Sequence, residues 1–371
     1  MADNMSAWVA GSARPEKQVL RIGFLPLSDC GSLVMASLLG FDEQFGIKIE
    51  LSKEASWASV RDKLGTGELD AAHVLYGLVY GVQTGIGGQA REMAVLMNLN
   101  HNGQAVTLSS ALAQQGAVDG TSLARLIRSA PRPYTFAHTF PTGTHAMYLH
   151  YWLAAHGIDP LREVRMVTVP PPQMADNLRA GRMDGYCVGE PWGMQAVQDK
   201  IGVTAAATQA IWPDHPGKVL GTTADFADKY PNTCRALIAA VLEAGRWLDA
   251  SVENKQTMLD TISQPHYVRT SQVWQDQHGL QFYNSGAVNF PYLSDGMWFM
   301  TQHRRWGLLK DDPDYLAVAS KVNRIALYRQ AADMTATPLP PGVLRSSTLI
   351  DGVVWDGSEP ERYAASFAIH K

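Results

Sequence analysis

VLRIGFLPLSDCGSLVMASLLGF, residues 19–41, decides how the rest of the chain is read. Its first part, Val19–Leu25, is an apolar strand that runs into a Pro-containing loop. Helical periodicity then takes over across Ser32–Phe45. Directly after it Ile47–Leu51 (IKIEL) alternates as a strand, and Trp57–Thr66 reads as a helix closed by Gly67. Strand, helix, strand, helix in that order predicts a mostly parallel sheet with helices on both faces.

Outward from this unit the style continues. Leu69–Val74 is a third strand, a helical run extends to about Gln83, and Ala94–Asn98 and Gln104–Leu108 are further strands. A second module begins with a strand at Tyr134–Ala137, after which Pro141-Thr142-Gly143-Thr144 opens a helix over His145–Ala155, stopped by Gly157. Val164–Val169 and Met183–Val188 are strands around a helix at Gln173–Ala180. From Pro231 the pattern is mainly helical, at Thr233–Asp249, Asn254–Ser263, Asp295–Trp306 and Tyr315–Val322. A Pro-rich segment from about Thr335 precedes a Val353-Val354-Trp355 cluster, which reads as a strap over the body or a partner contact. Two α/β modules with a late return to helices predict a two-lobed, hinged protein with an interlobe cleft. Lobe one takes residues 18–105 plus 225–371, lobe two takes 106–224, and residues 1–17 form a mobile tail. Ligands of such folds bind at the carboxyl ends of parallel strands, so the cleft is the expected site.

Composition narrows the function. Lys and Arg total 31 against 35 Asp and Glu, a net of −4, so there is no basic excess to neutralise a nucleic-acid backbone. Hydrophobic residues at 46% and charged residues at 18% exclude global disorder. No stretch approaches the roughly 18–20 apolar residues of a membrane span. Cys30, Cys187 and Cys234 are far apart, without a CxxC, so neither a disulfide framework nor a metal site is expected. The start of the chain, with Asp3 and an apolar run only from Ala7 to Ala10, lacks the pattern of a secretory signal, which predicts a cytoplasmic protein. No GxSxG, HExxH, P-loop or dinucleotide fingerprint is present, and Cys187 has no base assigned by spacing, so neither an enzyme nor a cofactor is expected.

Five stretches carry a resemblance: RIGFLPLSDCGSLVMA, KEASWASVRDKLGTGELDAAH, FPTGTHAMYLHYWLAAHGIDP, RAGRMDGYCVGEPWG and HPGKVLGTTADFADKYPNT. In that order, over about residues 20–233, they resemble the nitrate- and bicarbonate-binding branch of the substrate-binding proteins of ABC transporters. The resemblance implies an α/β, two-lobed periplasmic-binding-protein-like (type II) fold. With no signal peptide expected, the chain looks like the cytoplasmic nitrate/nitrite sensor of the NasS type. That sensor holds a response-regulator-like, RNA-binding antiterminator (NasT type) until the anion arrives. The resemblance also implies ligand residues. His145 falls on the family's ligand histidine, Gly189 on a glycine presenting its N–H, and Lys218 on the ammonium donor. Asn102 falls where the family places a glutamine, and Val74 where transporter relatives place a tryptophan. Two other readings stay open, an ABC-transporter subunit for nitrate, bicarbonate or a sulfonate, and a scaffold with a degenerate cleft.

Elementary chemistry agrees with the anion. Nitrate is planar, monovalent and a weak hydrogen-bond acceptor, so its site needs several donors and a cation. Thr144-His145 at a helix start offers free N–H groups and the positive end of the helix dipole, with Gly143 allowing close approach. Histidine, with an ordinary pKa of about 6.5, makes affinity sensitive to pH. Taken alone, His145 and Lys218 are ordinary surface residues and Trp57 and Trp192 ordinary packing aromatics. Lobe two is expected to supply His145, Gly189 and Lys218, with Asn102 at the boundary, so that the anion favours the closed form and a partner gripping the open form is released.

Overall fold

The computed structural model describes residues 13–269 and 278–371. Ten strands carry it: β1 (Val19–Phe24), β2 (Lys48–Lys53), β3 (Ala71–Leu75), β4 (Met93–Asn98), β5 (Gln104–Ser109), β6 (Tyr134–His138), β7 (Val164–Thr168), β8 (Gly185–Gly189), β9 (Gly202–Ala207) and β10 (Lys218–Thr223). They form two five-stranded sheets, β2-β1-β3-β10-β4 and β7-β6-β8-β5-β9, each at the heart of one lobe. The expected βαβ units are present, since β1 pairs in parallel with β2 and β3, and β6 with β7 and β8. Both sheets are nonetheless mixed. β10 runs antiparallel between β3 and β4, and β5 runs antiparallel between β8 and β9.

This exchange of strands corrects the expected lobe boundaries. β5 leaves the first lobe with Gln104, and β10 returns to it with Lys218, so lobe two comprises roughly residues 104–217 rather than 106–224. Lys218 therefore stands on lobe one, because its strand is hydrogen-bonded to β3 and β4. The expected mobile tail is corrected in part. Residues 1–12 lie outside the described residues, but Glu16 accepts from the backbone N–H of Asn232 and Thr233, and Lys17 Nζ meets Asp70 at 2.5 Å.

Local sequence explains most elements. The helix expected over Ser32–Phe45 stops at Leu38, because Gly40 adopts φ 72° and a short turn of helix restarts at Phe41–Gln44. Ser56 caps Trp57–Thr66 through the N–H of Ser59, and Gly67 ends it at φ 78°. The 20-residue helix Pro231–Ala250 buries Leu237, Val241, Ala244 and Leu248 on one stripe against the helices Gly31–Leu38 and Ile325–Met334.

Between the lobes the core is continuous. Trp298 and Phe299, on the helix Leu293–Arg305, form an aromatic bridge with Tyr148 of lobe two (5.6 and 6.1 Å between ring centres) and Tyr76 of lobe one (5.4 Å from Phe299). The C-terminal segment is a strap on the body. Trp355 Nε1 donates to Ser294 O, Ile350 N donates to Ile211 O, and Tyr151 of lobe two donates to Asp351.

Candidate functional site

The two sheets meet with their strand ends facing one buried polar cluster. Its centre is Asp29, in the short helical turn Ser28–Cys30 that links β1 to the following helix. One Asp29 oxygen accepts from His73 Nε2 at 2.7 Å and the other from Lys218 Nζ at 2.6 Å. His73 lies within β3, and Lys218 opens β10 beside it. Trp57, the first residue of its helix, closes this side, its ring 5.5 Å from His73 and 5.9 Å from the Lys218 ammonium.

Lobe two completes the enclosure. Gly189 ends β8 and stands opposite Gln104 in the ladder. A Cβ placed on Gly189 would come 3.4 Å from Lys218 Nζ and 3.5 Å from Asp29 Oδ2, so glycine here lets the second lobe meet the ion pair closely. His145 is the second residue of the helix Thr144–Ala155, and its Nδ1 lies 2.6 Å from Thr139 Oγ1. When Thr139 donates to Nδ1, the imidazole proton sits on Nε2. Closure is fixed by Ser28 N donating to Glu190 O and Trp192 Nε1 donating to Pro26 O, both at 2.8 Å.

The cluster has unused hydrogen-bonding capacity. Among the described residues, His145 Nε2, Thr144 Oγ1, both amide atoms of Gln104 and Trp57 Nε1 are buried without a partner. Buried polar atoms cost about 1–3 kcal/mol when unpaired, so this group of them on the elements that meet at Lys218 makes the cluster the candidate ligand position. The electrostatics fit a small anion. Burial alone would raise the Asp29 carboxyl, but the Lys218 charge and the hydrogen bonds from Lys218 and His73 outweigh it and hold it well below the usual range. Burial, reinforced by the Lys218 charge, pushes His145 well below an ordinary histidine, so it is neutral and donates through one N–H. Burial also raises the Cys187 thiol, which leaves it inert.

Of the five expected ligand residues, the structure brings three together: His145, Gly189 and Lys218. It places two elsewhere. Asn102, at φ 58°, donates its amide to Gly279 O at 3.1 Å, and Val74 packs in the apolar core on the face of β3 opposite His73. The amide that stands opposite Gly189 is that of Gln104, two residues on, because the Asn102-Gly103 turn precedes the strand. The aromatic ring beside Lys218 is that of Trp57. Asp29 was missed entirely, since a carboxylate runs against what an anion site suggests.

Comparison with known proteins fits this geometry. Residues 13–263 match the model of the NMT1-like family. The nitrate/nitrite binding protein NrtA of Synechocystis sp. PCC 6803 is 33% identical over 395 residues, spanning 98% of this chain and 88% of that protein. The chain belongs to the NMT1-like family, in its NrtA-like branch of substrate-binding proteins. The crystal structure of the periplasmic nitrate-binding protein NrtA from Synechocystis PCC 6803 superposes with a TM-score of 0.89, covering 96% of this chain and 100% of that one at 33% identity. The bicarbonate-binding protein CmpA of Synechococcus elongatus is 29% identical over 98% of this chain and 89% of its own length. The NrtA-like chain therefore has the two-lobed periplasmic-binding-protein-like fold, and its NrtA and CmpA relatives are solute-binding proteins by name. Among its described residues no helix is long and apolar enough to cross a membrane, and no three His, Cys, Asp or Glu side chains group as metal ligands.

Proposed function

We propose that this chain binds nitrate or nitrite between its lobes and that the bound anion holds the lobes closed. The observation that carries this reading is that His145, Gln104 and Trp57, on the elements that meet at the Lys218 ammonium, each bury a polar atom without a partner among the described residues (His145 Nε2, Gln104 Nε2 and Trp57 Nε1). The anion oxygens accept from the His145 N–H, the Gln104 amide and Lys218, while Gly189 gives them backbone access. Donors from both lobes converge only when the cleft is shut, so anion binding and closure favour each other. The relatives named for nitrate binding support the choice of anion.

For the output we propose the cytoplasmic sensor: the open form grips an RNA-binding antiterminator, and closure releases it. The net charge of −4 supports a protein partner rather than direct contact with RNA. The second reading, delivery of the anion to an ABC transporter, is favoured by the names of the binding-protein relatives. The chain is also 34% identical to a nitrate import ATP-binding protein of Synechocystis, of which it spans 56%, and that name supports the transporter reading too.

Melting temperature at fixed ionic strength, with nitrate, nitrite, bicarbonate, chloride or sulfate, tests the ligand. A ligand at about 100 times its Kd adds about 2.7 kcal/mol. A shift with bicarbonate alone, or with no anion, rejects the nitrate reading. Cell fractionation, followed by nitrate-dependent release of a co-purifying RNA-binding protein, separates sensor from transporter subunit.

A further inference from the structure

The charges in the cluster do not balance once an anion is present. Lys218 is the cation on which an anion site would rely, yet its ammonium already meets Asp29 at 2.6 Å, in a setting where both side chains are buried. Ammonium and carboxylate sum to zero, so a monovalent anion would leave the closed site with a net negative charge away from water. An uncompensated buried charge is costly, and the usual escape is a change of protonation state. Two imidazoles in the cluster can make that change. His145 is held by the neutral Thr139 hydroxyl, and the Lys218 charge opposes its protonation. His73 instead has the carboxylate of Asp29 at 2.7 Å from Nε2, and its Nδ1 is buried without a partner among the described residues.

Resting on the anion-binding reading above, we infer that the site takes up its anion together with one proton, that His73 accepts this proton, and that Asp29 makes it necessary. The groups facing His73 are Asp29 from the loop after β1, Lys218 from β10 and the Trp57 ring from the helix after β2. Across the cleft His145 feels the same Lys218 and Asp29 charges, with the imidazoles of His138 and His215, neutral near pH 7, also close to it. Without an anion, burial and Lys218 keep His73 neutral despite Asp29, with its ring pKa below the ordinary value. With the anion, imidazolium, carboxylate, ammonium and anion sum to zero. Asp29 thereby also sets specificity, because a divalent anion would need a second proton, and of the two imidazoles only His145 would remain, whose protonation burial and the Lys218 charge oppose.

The test adds sodium nitrate to the full chain in weakly buffered solution near neutral pH and titrates the acid needed to hold the pH, with binding followed by calorimetry. About one proton should enter per nitrate bound, and affinity should weaken about tenfold for each pH unit of rise through this range. His73→Gln should bind nitrate more weakly, without proton uptake and with an affinity flat in pH. Asp29→Asn frees Lys218, and should bind nitrate at least as tightly as the unaltered chain, also without uptake. Opposite changes in affinity with the same loss of uptake are not produced by a merely structural role. Nitrate binding without proton uptake in the unaltered chain, or uptake that survives His73→Gln, overturns the inference and leaves the anion reading intact. An absence of nitrate binding in the unaltered chain overturns the anion reading itself.

Discussion

At the scale of single residues, the Asp29–Lys218 pair dominates. Removing one partner of a buried pair leaves the other uncompensated, at a cost of about 3–5 kcal/mol. Lys218→Met is therefore expected to lose its nitrate response and to unfold at markedly lower urea. The double variant with Asp29→Asn should regain much of that stability, and equal urea midpoints for single and double variants would contradict the pairing. The buried histidines give a second expectation. Burial holds His138 and His303 to about 4 and His150 and His215 to about 3 in the folded protein. The unfolded chain, with histidines near about 6.5, binds more protons below that value. Stability should thus be fully present above about pH 6.5 and be lost as pH falls below it. Urea midpoints across this range check the sign, and a midpoint that rises on acidification would refute it.

Secondary-structure elements show how far the sequence could be read. The parallel units were legible because each strand and its helix are neighbours in sequence, and Trp57–Thr66 and Tyr315–Val322 fall where periodicity puts them. Of the antiparallel strands β5 was legible as Gln104–Leu108, whereas β9 and β10 were not read as sheet members. β9 carries little apolar signal in GVTAAA, and β10 pairs with strands more than a hundred residues earlier. The site divided along the same line. His145 and Gly189 were reached through the resemblance, each carried by a short contiguous stretch, PTGTHAMY and GEPWG. Asp29 acquires its meaning only from His73 and Lys218, which lie 44 and 189 residues away. Asn102 was placed through the resemblance, and nothing in the sequence around it says where the turn ends and the ladder that holds Gln104 begins. One element-level prediction concerns the helix Tyr76–Gln83, where a Cβ on Gly77 would come 2.3 Å from Thr142 O of the other lobe. Gly77→Ala should cost about 1–3 kcal/mol, as overpacking does, and an unchanged urea midpoint would show that the lobes give way there.

On the scale of the whole molecule, the lobes are held by more than their chain crossings. The aromatic bridge of Tyr76, Phe299, Trp298 and Tyr148 and the C-terminal strap join them on one side. The contacts near the anion site, Ser28 to Glu190 and Trp192 to Pro26, are the ones that opening would break. Trp192→Phe removes one such hydrogen bond, worth about 1 kcal/mol, and should weaken nitrate binding roughly fivefold while leaving the melting temperature of the anion-free protein nearly unchanged. Calorimetry and thermal unfolding measured together separate this from a general loss of stability.

The position of β10 also dictates an order of assembly during synthesis. This strand sits between β3 and β4 in the finished sheet, yet its first residue follows the last of β4 by 218 − 98 = 120 positions. A ribosome adding about 5–20 residues per second needs roughly 6–24 seconds to cover that distance. Throughout that interval the nascent first lobe exposes the edges of β3 and β4, and by its end every strand of the second lobe has been made. The inserted lobe can mature first, and the lobe that begins the chain waits for Lys218. The residue that carries the site's positive charge is thus also the one whose arrival allows the first sheet to close.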